Sequence, residues 1–197
     1  MRNIFDLSGK VAVVIGGASG IGEAVTIGAA QMGAKVVCLD IRQDEAARVS
    51  AKASEDGCSC EAGTIDIRDS AAVEQSFSSV AAAHGSLDIV ICTPSINVRK
   101  KILDYQDDEL ARVLDLNIKG NFNVLRSAGR IMTAQRRGSI VLFSSIRSLV
   151  VEPGQSVYSA TKAGILQLAR GAASEFGPYG VRVNCVGPGV IETPLTA

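Results

Sequence analysis

The sequence predicts an α/β fold built on a parallel sheet with helices on both faces. Three observations carry this. Short β-branched runs alternate with segments of helical periodicity along the chain. Hydrophobic residues make up 47% of the 197 residues, enough for a sizeable core and too many for global disorder. Glycine is in excess, at 20 residues, and several of them cluster directly after the first apolar run.

The elements follow in order. Residues 10–16 (KVAVVIG) are β-branched and closed by glycine, the pattern of a buried strand. Ile21, Ala24, Val25, Gly28, Ala29 and Met32 then recur on one helical face, and Gly33 supplies a stop. Residues 35–39 make a second strand, 43–56 a polar helix and 59–65 a weaker third strand. Asp69 is an N-cap for a helix that buries Val73, Phe77 and Val80. The fourth strand spans 87–91. Residues 107–133 read as one long helix, with Leu110, Val113, Leu114, Ile118, Phe122 and Leu125 on its buried stripe. A fifth strand over 138–143, a small-residue helix over 155–176 and a sixth strand over 181–186 complete the pattern. Right-handed crossovers turn this alternation into a doubly wound sheet, a single domain over 1–197.

Whole function classes drop out early. Lys plus Arg (20) balance Asp plus Glu (20), so the basic excess of a nucleic-acid binder is missing. No apolar run is long enough for a membrane helix, and residues 1–10 lack a signal-peptide pattern. Five cysteines, at 38, 58, 60, 92 and 185, show no C-x-x-C spacing, and His84 is the one imidazole. They read as free thiols of a reducing compartment. No metal site is expected, and the cytoplasm is the expected location.

The first strand runs into Gly16-Gly17-Ala18-Ser19-Gly20-Ile21-Gly22. Glycines let a backbone approach a pyrophosphate seated on the next helix's first N–H groups. Gly16, Ser19, Gly20, Ile21 and Gly22 are therefore candidate cofactor contacts. The spacing is G-x-x-x-G-x-G, and glycines also serve turns without a ligand. The strand-to-helix setting is what favours a Rossmann-type nucleotide site. Asp40 ends the second strand, 18 residues after Gly22. A carboxylate there accepts from ribose hydroxyls and repels a 2′-phosphate, so NAD is expected over NADP, with Arg42 keeping NADP as the alternative. Asp66, with Ile67 beside it, follows the third strand and meets either the adenine or the turn before Asp69.

Tyr158 and Lys162, at i and i+4, share a helix face. A tyrosine titrates at about 10, and a neighbouring ammonium favours the phenolate and brings it toward the range of a base. Ser145 follows the fifth strand, at the carboxyl edge where open α/β sheets bind ligands. Asn117 falls inside the long helix, where it bends or hydrates it. Singly, these four read as packing, a solvated charge, a turn former and a helix irregularity.

Together they resemble the short-chain dehydrogenase/reductase family, over residues 10–193. The glycine loop matches at Gly16, Gly20 and Gly22, and an N-x-x-G segment at Asn117-Ile118-Lys119-Gly120. The family's serine, tyrosine and lysine match Ser145, Tyr158 and Lys162, and its R-V-N-x-x-x-P-G stretch matches Arg182-Val183-Asn184 through Pro188-Gly189. The resemblance implies an NAD(P)-dependent oxidoreductase that interconverts a secondary alcohol and a ketone, its partner a small-molecule substrate. It implies that Tyr158 exchanges the proton and that Lys162 holds the nicotinamide ribose and lowers the tyrosine pKa. Ser145 would hold the substrate oxygen, and Asn117 a water that relays protons to Lys162. Pro188, Gly189, Ile191 and Thr193 join the cofactor contacts, Thr193 at the place of the cofactor-amide threonine. A homo-oligomer is also implied, a dimer through the helix after Tyr158.

Three departures stand out. Ile15 takes the place of a threonine before the loop. Cys92-Thr93-Pro94-Ser95 replaces N-N-A-G, where Pro94 removes an N–H and Ser95 adds bulk near the cofactor ribose. The chain ends at Ala197, before the family's substrate-covering segment and seventh strand, so six strands and an exposed sixth edge are expected. A nucleotide-binding module without turnover is the alternative function. A Rossmann-like methyltransferase has no need of Tyr158 and Lys162. Arg99, Lys100, Lys101 and Arg147 lie in or beside segments expected at the carboxyl edge and hint at an acidic or polyhydroxy substrate.

Overall fold

Six strands form one sheet, in a computed structural model that describes residues 4–55 and 57–193. They are β1 (Val11–Ile15), β2 (Lys35–Asp40), β3 (Cys60–Thr64), β4 (Ile89–Cys92), β5 (Gly138–Phe143) and β6 (Val181–Val186). All pairs are parallel, in the order β3-β2-β1-β4-β5-β6. The helices are α1 (Gly20–Gln31), α2 (Gln43–Glu55), α3 (Ser70–His84), α4 (Asp107–Leu114), α5 (Asn121–Gln135) and α6 (Ser156–Phe176). The chain moves outward from β1 to β3, then returns to lay β4 on the other side of β1. That reversal opens a crevice at the carboxyl ends of β1 and β4, where such sheets bind ligands.

Side chains alternate across the sheet with period two. Val11, Val13 and Ile15 of β1 enter the larger core, with Phe77 of α3, Val124 and Met132 of α5, and Ile165 of α6. Ala12 and Val14 face the other way, against Ala30 of α1 and Ala53 of α2. Among the described residues this second face is closely covered only toward β3: Val141 of β5 is half-buried, and Arg182 and Asn184 of β6 are exposed. No helix of the described residues is long and apolar enough to cross a membrane.

The strand and helix alternation is the one expected, and Asp69 caps α3 by accepting from the N–H groups of Ala71 and Ala72. The expected helix end at residue 56 and the chain end at Ala197 lie outside the described residues. Two helices differ in detail. The long helix over 107–133 is interrupted by a π-helical turn at Asp115–Gly120. Its buried residues include Val113, Asn117, Asn121, Val124 and Leu125, whereas Leu110, Leu114 and Phe122 are exposed. The wide turn shifts the helical phase, so a fixed 3.6-residue count loses the buried face. In α1 the buried ridge is Gly22, Thr26 and Ala30, not the expected stripe. The helix lies so close to the glycine loop that only small side chains fit beneath it.

Candidate active site

The loop leaves the sheet tied to β2: the N–H groups of Gly16 and Gly17 both donate to the Leu39 carbonyl, at 2.8 and 3.2 Å. Gly16 has φ +70°, and a Cβ there would stand 2.5 Å from the Thr93 hydroxyl. The Ala18 peptide is held on both sides. Its N–H donates to Asp40 Oδ2 at 3.2 Å, and its carbonyl accepts from Arg48 Nη2 at 3.2 Å. Ser19 gives no side-chain cap to α1. The first-turn N–H groups are left to the crevice, where they favour an anion.

The loop borders a cavity of about 670 Å³, in the size range of small-molecule and cofactor sites. Gly16, Ser19, Gly20 and Ile21 line one stretch, and Asp40, Asp66 and Ile67 another. Ser145, Tyr158 and Lys162 line the β5 end, with Pro188, Gly189, Ile191 and Thr193 also on the wall. Gly22 and Asn117 do not reach it.

Asp40 is buried. Its Oδ1 accepts the Arg42 N–H at 3.1 Å, and Arg42 Nε stands 3.6 Å away. An acceptor-only group on this wall suits ribose hydroxyls, which donate. Asp66 gives both oxygens to Arg68, the shortest contact being 2.6 Å, and that guanidinium holds its carboxyl below the usual range. The Asp66 carbonyl accepts the Asp69 N–H and its Oδ1 the Arg68 N–H at 2.9 Å, so Asp66 holds the turn before Asp69 while it lines the cavity. An uncapped helix end, a glycine-rich cradle and the Asp40 acceptor together fit a dinucleotide.

The altered β4 segment compensates for Ile15. Thr93 Oγ1 lies 2.9 Å from the Ile15 carbonyl and 3.2 Å from that of Gly16. The Thr93 N–H donates to the Ile15 carbonyl at 3.1 Å. A hydroxyl thus clasps β1 to β4 from the β4 side.

Asn117 sits fully buried in the π turn and uses its whole amide. Oδ1 accepts from the Ile96 N–H at 3.0 Å and from Ser95 Oγ at 3.3 Å. Nδ2 donates to the Ile96 carbonyl at 2.9 Å and to Thr161 Oγ1 at 3.0 Å. Its own carbonyl accepts from Asn121 Nδ2 at 2.9 Å. The Asn117 amide thus fastens the loop after β4 to α6.

At the β5 end, Ser145 accepts the Arg147 N–H at 3.2 Å, which leaves its proton to donate. Lys162 is buried and donates to the Phe143 carbonyl at 2.9 Å, with its Nζ 5.5 Å from the centre of the Tyr158 ring. Burial pushes the Tyr158 phenol above its ordinary pKa, opposed by the Ser145 hydroxyl and by the charge of Arg99. The Lys162 ammonium itself is turned to the Phe143 carbonyl. Ser144 completes the frame, its hydroxyl donating to the Lys162 carbonyl at 2.8 Å.

The family model of the short chain dehydrogenases matches residues 10–197. The chain belongs to the short-chain dehydrogenase family. It is 34% identical over 190 residues to oxidoreductase UcpA of Escherichia coli, covering 96% of this chain and 72% of that protein. It is 33% identical to the 3-oxoacyl-[acyl-carrier-protein] reductase FabG of Thermotoga maritima, covering 96% and 77%. Among solved structures, an NAD+-bound xylitol dehydrogenase superposes with a TM-score of 0.90 at 30% identity, covering 95% of this chain and 72% of that one. The chain is thus an oxidoreductase by family, of a kind whose general chemistry is NAD(P)-dependent interconversion of alcohols and carbonyls.

In this short-chain dehydrogenase, burial lowers the Lys162 pKa from 10.5 to about 8, with the thiols of Cys92 and Cys185 opposing. Between about pH 8 and 9 the unfolded chain therefore binds more protons at this site than the folded one, and stability rises with pH. Above about 9 the buried thiols act the other way. Cys92 is pushed up to about 12 and Cys38 to about 11, so the unfolded thiols lose protons first. Lys162→Met is expected to remove the rise between pH 8 and 9, read from urea midpoints. A rise that survives the substitution has another source.

Sequence motifs do not mark Arg48, Thr93 or Ser144, because each acts through contacts between distant segments. The pairing of Ile15 with Cys92 in the β1–β4 register is the signal that locates Thr93.

Proposed function

We propose that this short-chain dehydrogenase transfers a hydride between NAD and a secondary alcohol or ketone. The supporting observation is a single cavity that joins the uncapped end of α1 and Asp40 to Ser145, Tyr158 and Lys162. When bound, the nicotinamide supplies the hydride acceptor or donor. Tyr158 Oη takes the substrate hydroxyl proton in oxidation and returns it to the carbonyl oxygen in reduction. Ser145 donates to that oxygen as charge develops there. A protonated Lys162 favours the tyrosinate by its charge. Asn117 is a positioning residue that acts through the loop after β4 and Thr161. A nucleotide-binding module without turnover is the second reading, favoured by the bond from Lys162 to the Phe143 carbonyl. The Tyr158→Phe variant separates the two.

NAD is the proposed nucleotide because the Asp40 carboxylate stands on the wall where a 2′-phosphate would be repelled. The NAD+-bound state of the structurally similar xylitol dehydrogenase agrees with it. Fluorescence titration is expected to show NADH binding about tenfold tighter than NADPH, and Asp40→Ala to narrow that ratio. Asp40 also holds Ala18, so both affinities fall and the ratio is the informative quantity. Equal or tighter NADPH binding by the wild type would sink the assignment.

We also propose a homodimer. Leu110 (38%), Leu114 (42%) and Phe122 (46%) are exposed on α4 and α5. Beside them, Gly129, Gly164 and Gly171 floor a groove between α5 and α6 that lets a second backbone approach. A sedimenting species of 20.5 kDa at micromolar concentration would exclude the dimer. The five free cysteines fit a reducing compartment, and the cytoplasm is the proposed location.

A further inference from the structure

Of the four basic residues near the carboxyl edge, two are paired with carboxylates, and among the described residues two, Arg99 and Lys101, form no ion pair. Lys100 Nζ lies 2.6 Å from Glu109 Oε1, and Arg147 pairs with Glu152, so both are neutralised. Among the described residues Arg99 forms no ion pair, although its backbone is fixed on either side. The Val98 carbonyl accepts from Tyr105 Oη at 2.8 Å, and Lys100 is held by Glu109. Asn97 Nδ2 donates to Gln155 Oε1 at 3.1 Å, and a Cβ on Gly154 would stand 3.9 Å from the Lys100 backbone. Residues 97–100 are therefore pinned against the strip that leads into α6, whose first turn carries Tyr158. The charge of Arg99 reaches the Tyr158 hydroxyl.

An exposed guanidinium on a fixed backbone, near enough to the proposed proton-transfer residue for its charge to act there and without a carboxylate partner among the described residues, is built to take one from a substrate. We propose that Arg99 selects a substrate that carries a carboxylate, a hydroxy acid or keto acid whose carbinol or carbonyl oxygen sits at Tyr158 and Ser145. This rests on the oxidoreductase reading above. A guanidinium fork meets a carboxylate with two parallel hydrogen bonds, which sets orientation as well as affinity. Lys100 and Arg147 lack that use because an internal carboxylate already holds each.

The test compares 2-hydroxybutanoate, 3-hydroxybutanoate and 4-hydroxypentanoate with their methyl esters, which keep the carbinol and remove the charge. Calorimetric titration into the 197-residue protein with NADH, which an alcohol cannot turn over, reads the charge preference without catalysis. At least one acid is expected to bind about tenfold tighter than its ester. That ratio is expected to fall toward one in Arg99→Ala, to be partly kept in Arg99→Lys and to shrink as salt rises. Equal binding of acids and esters, or an acid preference that persists in Arg99→Ala, overturns the assignment. Steady-state assays of the same compounds with NAD and NADP address the parent reading separately. An Arg99-dependent preference without turnover would support the carboxylate site and count against the oxidoreductase.

Discussion

Replacing Tyr158 by phenylalanine is expected to lower kcat about 1,000-fold while NADH affinity changes by less than about threefold. The substitution keeps the half-buried ring and removes the one atom proposed to carry the proton. Direction of reaction sharpens the expectation. Burial holds the proton on the phenol above its ordinary pKa. Reduction needs that protonated form, so it is expected to run near neutral pH and to fade only at high pH. Oxidation needs the phenolate, so its rate is expected to climb with pH from neutral upward. Lys162, with a pKa of about 8, loses its own charge across the same range, which limits the climb. Steady-state rates followed by NADH absorbance in both directions check this. A Tyr158→Phe enzyme with undiminished rate places the proton transfer on another group.

Strands and helices were legible as short β-branched runs alternating with helical periodicity, and that alternation implies a parallel sheet. Gly16, Gly22 and Asp40 were legible because their work is local: a tight turn, a close approach, a carboxylate at a strand end. The phase of α4 and α5 was not, since a π turn adds backbone without changing the hydrophobic count. Buried Asn117, Asn121 and Asn123 are the trace that irregularity leaves in the sequence. The surroundings of Tyr158 were only half legible. Spacing puts Lys162 on its face, but spacing does not say that the ammonium is turned to the Phe143 carbonyl or that Arg99 arrives from another segment.

Gly22→Ala is expected to destabilise the fold by about 2–3 kcal/mol and to abolish detectable NADH binding. The added Cβ would stand 1.9 Å from the Gly16 carbonyl oxygen, 2.7 Å from its carbon and 3.0 Å from Thr93 Oγ1. None of these atoms can yield easily. The Gly16 N–H is bonded to Leu39, its carbonyl lies within reach of the Thr93 hydroxyl, and its φ of +70° already needs glycine. The helix must therefore lift off the loop, which withdraws its first-turn N–H groups from the crevice. Gly28→Ala makes the same change two turns along α1, where a Cβ meets nothing within 4 Å. That variant is expected to gain up to about 1 kcal/mol from helix propensity and to bind NADH as the wild type does. Thermal unfolding and NADH titration of the pair separate a general cost of alanine in α1 from the specific contact with the loop. A Gly22→Ala protein that still binds NADH would mean that close packing of helix on loop is not what builds the anion site.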